Sequence, residues 1–175
     1  MTMVKENSLK AFGPNYLVLD AALCPEPLWF AKGAGAECHS LFDYRDQALV
    51  DNGPWLLHLA GQDELIKLML EKDTHGHSAL WCKSELALQP LKEALGQRLY
   101  AVKPDGETTR FRFYDPRVLH HYLTEETQAR RDAFLEPLGS VLYASLNPFR
   151  FNSHWLNWQR EPDGYGCQAI SIKED

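Results

Sequence analysis

Short apolar runs alternate with amphipathic stretches along this chain, and the alternation predicts strands separated by helices. Three apolar runs have the length of buried strands: Tyr16–Asp20, Trp55–Ala60 and Ala79–Cys82. The spacing of apolar residues predicts helices from 62 to about 73 and over 88–99, each with one apolar face. Strands interleaved with such helices predict a mixed sheet with helices packed against it.

The remaining segments extend the same pattern. Residues 26–32 predict a short helix, and residues 36–52, which show no period, predict a loop. The turn Pro104-Asp105-Gly106 predicts a hairpin around it. The two strands of the hairpin are 100–102 and 108–114. Helices are predicted over 116–122 and 125–135, the second with Thr124 as N-cap. The rest of the chain predicts strands at 141–145, 149–158 and 168–172.

No linker divides the chain. Its 175 residues fit one domain with a sizeable core. We expect an N-terminal extension at 1–15, an α/β domain of mixed α+β class at 16–142, and a short β-rich, aromatic segment at 143–175 that packs on the same domain.

The most constrained stretch is the run from Arg110 to Arg117. Its first four residues alternate arginine with phenylalanine, the period of a half-buried strand. Asp115 then precedes Pro116, as an N-cap carboxylate precedes a proline at the first helical position. The run therefore predicts a strand that turns abruptly into a helix.

Composition and charge narrow the function classes. The formal net charge of −6 argues against a nucleic-acid partner. The first ten residues are polar and predict no secretory segment, and no apolar run reaches membrane-spanning length. The four cysteines form no close pair, so we expect a reducing cytoplasm and no disulfide framework.

Candidate chemistry centres on Asp115. It could be a catalytic carboxylate held by Arg112 or Arg117, but an N-cap with a neighbouring ion pair is the commoner role of such an Asp-Pro. His75 and His77 lack the recurrent spacing of a zinc site. No serine or cysteine stands in an activating context. We therefore expect that the protein has no catalytic residue, metal or cofactor and that it is not an enzyme.

Aromatic residues cluster near the end of the chain. Phe149, Phe151 and Trp155 share strand parity, whereas Trp158 falls on the opposite face. Such residues usually belong to a core, but a two-sided pattern on a late strand also suits a docking surface. These four residues are the candidate partner-binding set.

Three blocks of sequence resemble, in order, those of the domain-of-unknown-function 4123 family, adaptor chaperones of bacterial type VI secretion. The blocks are Tyr16-Leu17-Val18-Leu19-Asp20-Ala21-Ala22, Gly53-Pro54-Trp55-Leu56 and Arg112-Phe113-Tyr114-Asp115-Pro116-Arg117-Val118-Leu119. The resemblance runs from about Tyr16 to about Leu142. Ala21 stands where the family usually has glycine, and the chain after the match is shorter than the C-terminal lobe of many members.

The resemblance implies a protein that binds a toxin effector in the bacterial cytoplasm and helps load it onto the valine-glycine repeat spike protein (VgrG). It also implies that the motif residues form the scaffold, while the tail aromatics and the 36–52 segment face partners. The scaffold residues are Asp20, Gly53, Pro54, Trp55, Arg112, Tyr114, Asp115, Pro116 and Arg117. Two alternatives stay open: a small hydrolase built on Asp115, His75 and His77, or an anion-binding module that uses the arginines.

Overall fold

The computed structural model describes residues 2–147 and 154–172. Six α-helices, one 3₁₀ segment and nine strands occur in these residues. In chain order they are α1 (Thr2–Phe12), β1 (Tyr16–Asp20), α2 (Glu26–Gly33), β2 (Cys38–Ser40), the 3₁₀ segment (Tyr44–Asn52), β3 (Pro54–His58), α3 (Asp63–Lys72), β4 (Ala79–Lys83), α4 (Leu88–Gln97), β5 (Tyr100–Val102), β6 (Thr108–Arg110), α5 (Pro116–Glu125), α6 (Gln128–Leu135), β7 (Ser140–Ala144), β8 (His154–Glu161) and β9 (Gly164–Ser171).

Seven of the strands form one sheet in the order β2-β3-β1-β4-β7-β8-β9, and β5 pairs with β6 in a separate hairpin. The mixed α+β class is confirmed. Each pairing in the sheet is antiparallel, however, so the expectation of a mixed sheet is wrong. Interleaved helices do not require parallel strands here, because the helical connections return the chain to a neighbouring strand in the opposite direction.

Helices cover both faces of this sheet. Side chains from α4, α5 and α6 join one core with Val18 and Leu56, and side chains from α1, α2 and α3 join a second core with Leu17 and Leu57. Strand β1 lies between the two cores and is buried at all five positions. Covered faces on both sides explain why β1 reads as a continuous apolar run.

The arginine-rich run differs from its prediction. Strand β6 ends at Arg110, and the residues up to Tyr114 form turns instead of continuing the strand. The N–H of Phe113 donates to the carbonyl of Phe111 (2.9 Å), and that of Asp115 donates to the carbonyl of Arg112 (3.1 Å). These local bonds coil the backbone, while both phenylalanine rings still pack with Phe134.

Within the predicted extension at 1–15, residues 2–12 form α1, which buries Leu9 in the second core. Two other element predictions need correction. The 36–52 loop contains β2 and the 3₁₀ segment. Thr124 is not the N-cap of α6, because its hydroxyl donates to the carbonyls of His120 and His121 at the end of α5; Thr127 is the N-cap.

Candidate functional site

The three motif blocks meet at one end of β1. Asp20, the last residue of that strand, lies opposite Pro54, the first residue of β3. The N–H of Ala21 donates to the carbonyl of Gly53 (3.1 Å), which ties the first block to the second. Arg112 of the third block reaches Asp20, with 3.4 Å between Nη2 and Oδ2. Blocks that are far apart in sequence therefore form one junction.

Asp115 is the N-cap of α5, and Arg117 surrounds its carboxylate with donors. Oδ1 accepts the backbone N–H of Arg117 (2.9 Å) and its Nε–H (2.9 Å), while Oδ2 accepts from Nη2 (2.7 Å). This is the two-pronged geometry in which guanidinium and carboxylate bind most strongly. The predicted role of Asp115 and Pro116 as the start of a helix is confirmed.

Arg112 links the two buried carboxylates of the junction. Its Nη2 lies 3.4 Å from Oδ2 of Asp20 and 4.0 Å from Oδ2 of Asp115. Asp20 is 1% exposed and Asp115 is 3% exposed. The side chains of Arg112 and Arg117 are both about half exposed. The junction therefore has buried negative charge and an outer layer of positive charge.

The pKa values of the two carboxylates are shifted in opposite directions. Burial raises the pKa of Asp20, against the N–H of Ala22 and the charge of Arg112. Burial also acts on Asp115, but the hydrogen bonds from Arg117 prevail and hold its pKa below the usual range. Asp115 is thus stabilised as an anion. For Asp20, the hydrogen bond and the nearby arginine offset only part of the cost of burying the ionised carboxylate.

The Gly-Pro-Trp block is fixed by close packing. A Cβ on Gly53 would collide with the ring of Phe42, so this position admits no side chain without movement of that ring. The indole N–H of Trp55 donates to the carbonyl of Val50 (2.9 Å), and Nζ of Lys32 lies 4.1 Å from the centre of its ring. The block holds the 3₁₀ segment and α2 against β3.

Tyr114 and Ala21 complete the scaffold. Tyr114 is buried in the first core, and its burial raises the pKa of its hydroxyl, as does the nearby charge of Asp20. No non-glycine residue in the described ranges has a positive φ, so alanine at position 21 is compatible with this backbone. The departure from the family's glycine therefore costs no strain at this turn.

The alternative chemistries join Asp115 to the histidines at 75 and 77 or use the arginines. Burial lowers the pKa of His77, and the charges of Arg117 and Asp115 act on it in opposite directions. Four cavities lie elsewhere in the described part of the chain, and none of these four is lined by Asp20, Asp115 or their arginines. The rings of His75 and His77 are 6.1 Å apart, and residues 2–147 and 154–172 hold no group of three or more His, Cys, Asp or Glu that could bind a metal. No helix in those residues is long and apolar enough to cross a membrane.

Of the four predicted partner-binding aromatics, the structure describes the two tryptophans and not the two phenylalanines. Trp155 is 4% exposed in the second core and Trp158 is 3% exposed in the first, so the prediction that they form a docking surface is wrong. Their opposite parity is confirmed, but β8 is an inner strand between β7 and β9, and its two tryptophans contribute to opposite cores. Phe149 and Phe151 lie outside the described residues and stay a prediction.

The structure also exposes a set of apolar side chains that the sequence patterns did not predict as a surface. Leu23, Trp29, Phe30 and Leu49, here called the α2 surface, are all exposed, with Trp29 at 65%. Nζ of Lys32 lies 3.7 Å from Oδ1 of Asp51, which brings the end of α2 beside the segment that carries Leu49. The sequence contains only a weak signal for this surface, namely two adjacent aromatics, Trp29 and Phe30, in a short predicted helix.

A protein-family model matches most of the chain. The family is described as Domain of unknown function (DUF4123), and its model matches residues 15–133, a range that contains all three motif blocks. No curated protein and no solved structure matches the chain.

Proposed function

Because this chain belongs to the DUF4123 family, we propose that it is an adaptor chaperone of type VI secretion. It binds a toxin effector in the bacterial cytoplasm and helps load that effector onto the VgrG spike. The junction of Asp20, Arg112, Asp115 and Arg117 acts as scaffold in this proposal, and exposed surfaces elsewhere bind the partners.

The observation that carries the proposal is the α2 surface. Trp29 is 65% exposed and Phe30 beside it is 40% exposed, and large apolar side chains exposed next to one another favour an interaction site. Tryptophan is also among the residues that most often dominate the energy of protein interfaces. An adaptor must hold its cargo and later release it, which suits a small surface of this kind.

The motif junction supports a scaffold better than a hydrolase. Both oxygens of Asp115 accept hydrogen bonds from Arg117, and this leaves the carboxylate poorly placed to take a proton from a substrate or attack one. The bonds between Asp20, Arg112 and Asp115 instead connect the end of β1 to the start of α5. These contacts fix the end of β1, from which the chain leads into α2.

Co-purification tests the proposal directly. The tagged chain is co-expressed with a candidate toxin and a VgrG protein of its native bacterium, and captured with its tag. We expect both partners to be recovered with the native chain. Trp29→Ala together with Phe30→Ala should reduce recovery of at least one partner about tenfold, the effect of losing one interface anchor worth roughly 1–2 kcal/mol.

Val102→Ala is the matched control, because Val102 is 73% exposed on the separate β5–β6 hairpin. It should leave recovery unchanged. Recovery of neither partner with the native chain would contradict the adaptor function. Full recovery with the double variant would leave the adaptor function standing and remove the α2 surface from it.

A further inference from the structure

The seven-stranded sheet has two unlike edges. At one edge, β2 is only three residues long, and short strands limit pairing with other chains. At the other edge, β9 is eight residues long. An edge of that length presents a row of backbone N–H and C=O groups to any chain that approaches in extended form.

The ladder shows which groups of β9 point outward. Arg160 of β8 donates its N–H to Gly139 (3.1 Å), so the even-numbered residues of β8 face β7 and the odd-numbered ones face β9. The residues of β9 opposite those odd positions are Gly164, Gly166, Gln168 and Ile170. The backbone groups of Tyr165, Cys167, Ala169 and Ser171 therefore point away from the sheet.

Helix α6 covers the first part of this edge. The N–H of Tyr165 donates to Oδ1 of Asp132 (2.9 Å), and Nε2 of Gln128 donates to the carbonyl of Tyr165 (3.4 Å). From Cys167 to Ser171, the outward groups have no hydrogen-bond partner within residues 2–147 and 154–172. The open part of the edge is thus five residues long and begins where α6 stops.

The open part of the edge carries none of the features that usually prevent self-pairing. Residues 164–172 contain no charged residue and no proline, although the whole chain has a formal net charge of −6. The outward positions hold the small residues Cys167, Ala169 and Ser171, all exposed. Two copies can approach here without bringing like charges together.

We propose that β9 pairs with β9 of a second copy of this chain, antiparallel and about a two-fold axis at Ala169. Ala169 then lies opposite its own symmetry mate, and Cys167 lies opposite Ser171 on both sides of the axis. Each of these pairs exchanges two N–H···O=C bonds, and the two sheets become one continuous sheet. The dimer rests on the sheet edge alone and is independent of the adaptor function.

A charge-swap experiment tests both the partner and the register. Because residue 169 faces itself across the axis, Ala169→Lys alone and Ala169→Glu alone each place like charges together, while a mixture of the two places opposite charges together. Sedimentation velocity over a concentration series to the millimolar range should show a dimer of the native chain. Each single variant should weaken the dimer about tenfold, and the equimolar mixture should restore it.

The variant Ala169→Pro provides a second test of dimerisation through β9. It removes an outward N–H without removing a bond to β8, so the fold is retained and dimerisation falls about tenfold or more. Val102→Lys and Val102→Glu, on the β5–β6 hairpin, are matched controls that leave the dimer unchanged. A native chain that stays monomeric throughout the concentration series overturns the proposal. Any strand that pairs with this edge would then have to come from another protein. Single variants that dimerise as well as the native chain, or a mixture that does not recover, overturn it equally.

Discussion

Asp115 shows how a residue with apparent catalytic character can be accounted for by structure alone. Its carboxylate is buried, caps α5 and binds the guanidinium of Arg117 through both oxygens. The sequence was sufficient to predict the N-cap, because Asp-Pro at the start of an apolar-periodic stretch has few other readings. It was not sufficient to identify Asp20 as the second carboxylate, since Arg112 joins the two across 92 residues of chain.

Removing the carboxylate of Asp115 should destabilise the fold. Asp115→Ala loses both the N-cap and the bonds to Arg117, and we expect the free energy of unfolding to fall by about 2 kcal/mol. Asp115→Asn keeps a capping oxygen and should lose less. Urea denaturation of the two variants measures the difference; equal stability of Asp115→Ala and the native chain would rule out the scaffold role.

The acid dependence of stability should distinguish the two carboxylates. The pKa of Asp115 is lowered by folding, so its contribution to stability is present above its ordinary pKa and is lost as pH falls through the folded value. The pKa of Asp20 is raised, so its contribution is present below its ordinary pKa and is lost as pH rises through the folded value.

Asn variants expose these opposite signs. Relative to the native chain, Asp20→Asn should become more stable as pH rises above the ordinary aspartate range. Asp115→Asn should become relatively less stable as pH rises from below that range. Urea denaturation across the acid range measures both slopes, and two slopes of the same sign would refute this account of the junction.

At the scale of elements, periodicity was most reliable where a run is buried on both faces. Tyr16–Asp20 formed β1 with the predicted bounds. Prediction was poorest where a few long-range contacts decide the structure. Helix α1 has a weak apolar pattern and is anchored chiefly by Leu9 in the second core. Phe111 still donates its N–H to Leu99 (2.7 Å) in register with the β5–β6 hairpin, and the backbone turns only after it, where both phenylalanine rings pack on Phe134 of α6. Neither the burial of Leu9 nor the packing on Phe134 has a local signature.

The turn between α3 and β4 offers a test of local packing. Gly76 has φ +67°, and a Cβ there would collide with Cβ of Ala144 in β7. Gly76→Ala should lower the free energy of unfolding by about 2–4 kcal/mol, from backbone strain and from the collision. Gly61→Ala is the matched control: Gly61 has φ +70° and nothing within 4 Å of such a Cβ, so it should cost only the strain, about 1–2 kcal/mol. Thermal unfolding compares the two, and equal losses would show that the contact with Ala144 has no energetic weight.

At the scale of the whole molecule, the motif residues and the exposed apolar residues occupy different places. The motif blocks join β1, β3 and α5 at one end of the sheet, and the α2 surface lies on the elements held there by Trp55 and Lys32. Sequence patterns grouped the motif residues because these residues recur together in a family, and the structure places them at one junction. The patterns did not predict the exposed apolar surface, since Trp155 and Trp158 carry the same aromatic signal as Trp29 and only the fold shows which are buried.

Secretion is the measurement that tests the central claim most directly. In the native bacterium with its type VI system active, the gene for this chain is deleted and the toxin that co-purifies with the chain is measured in the culture supernatant, with a second, unrelated effector as the control. The adaptor function predicts that the toxin disappears from the supernatant while the control effector is still secreted. The native chain and Val102→Ala should restore the toxin, and the Trp29→Ala, Phe30→Ala double variant should not. Undiminished secretion of the toxin without this chain would contradict the account.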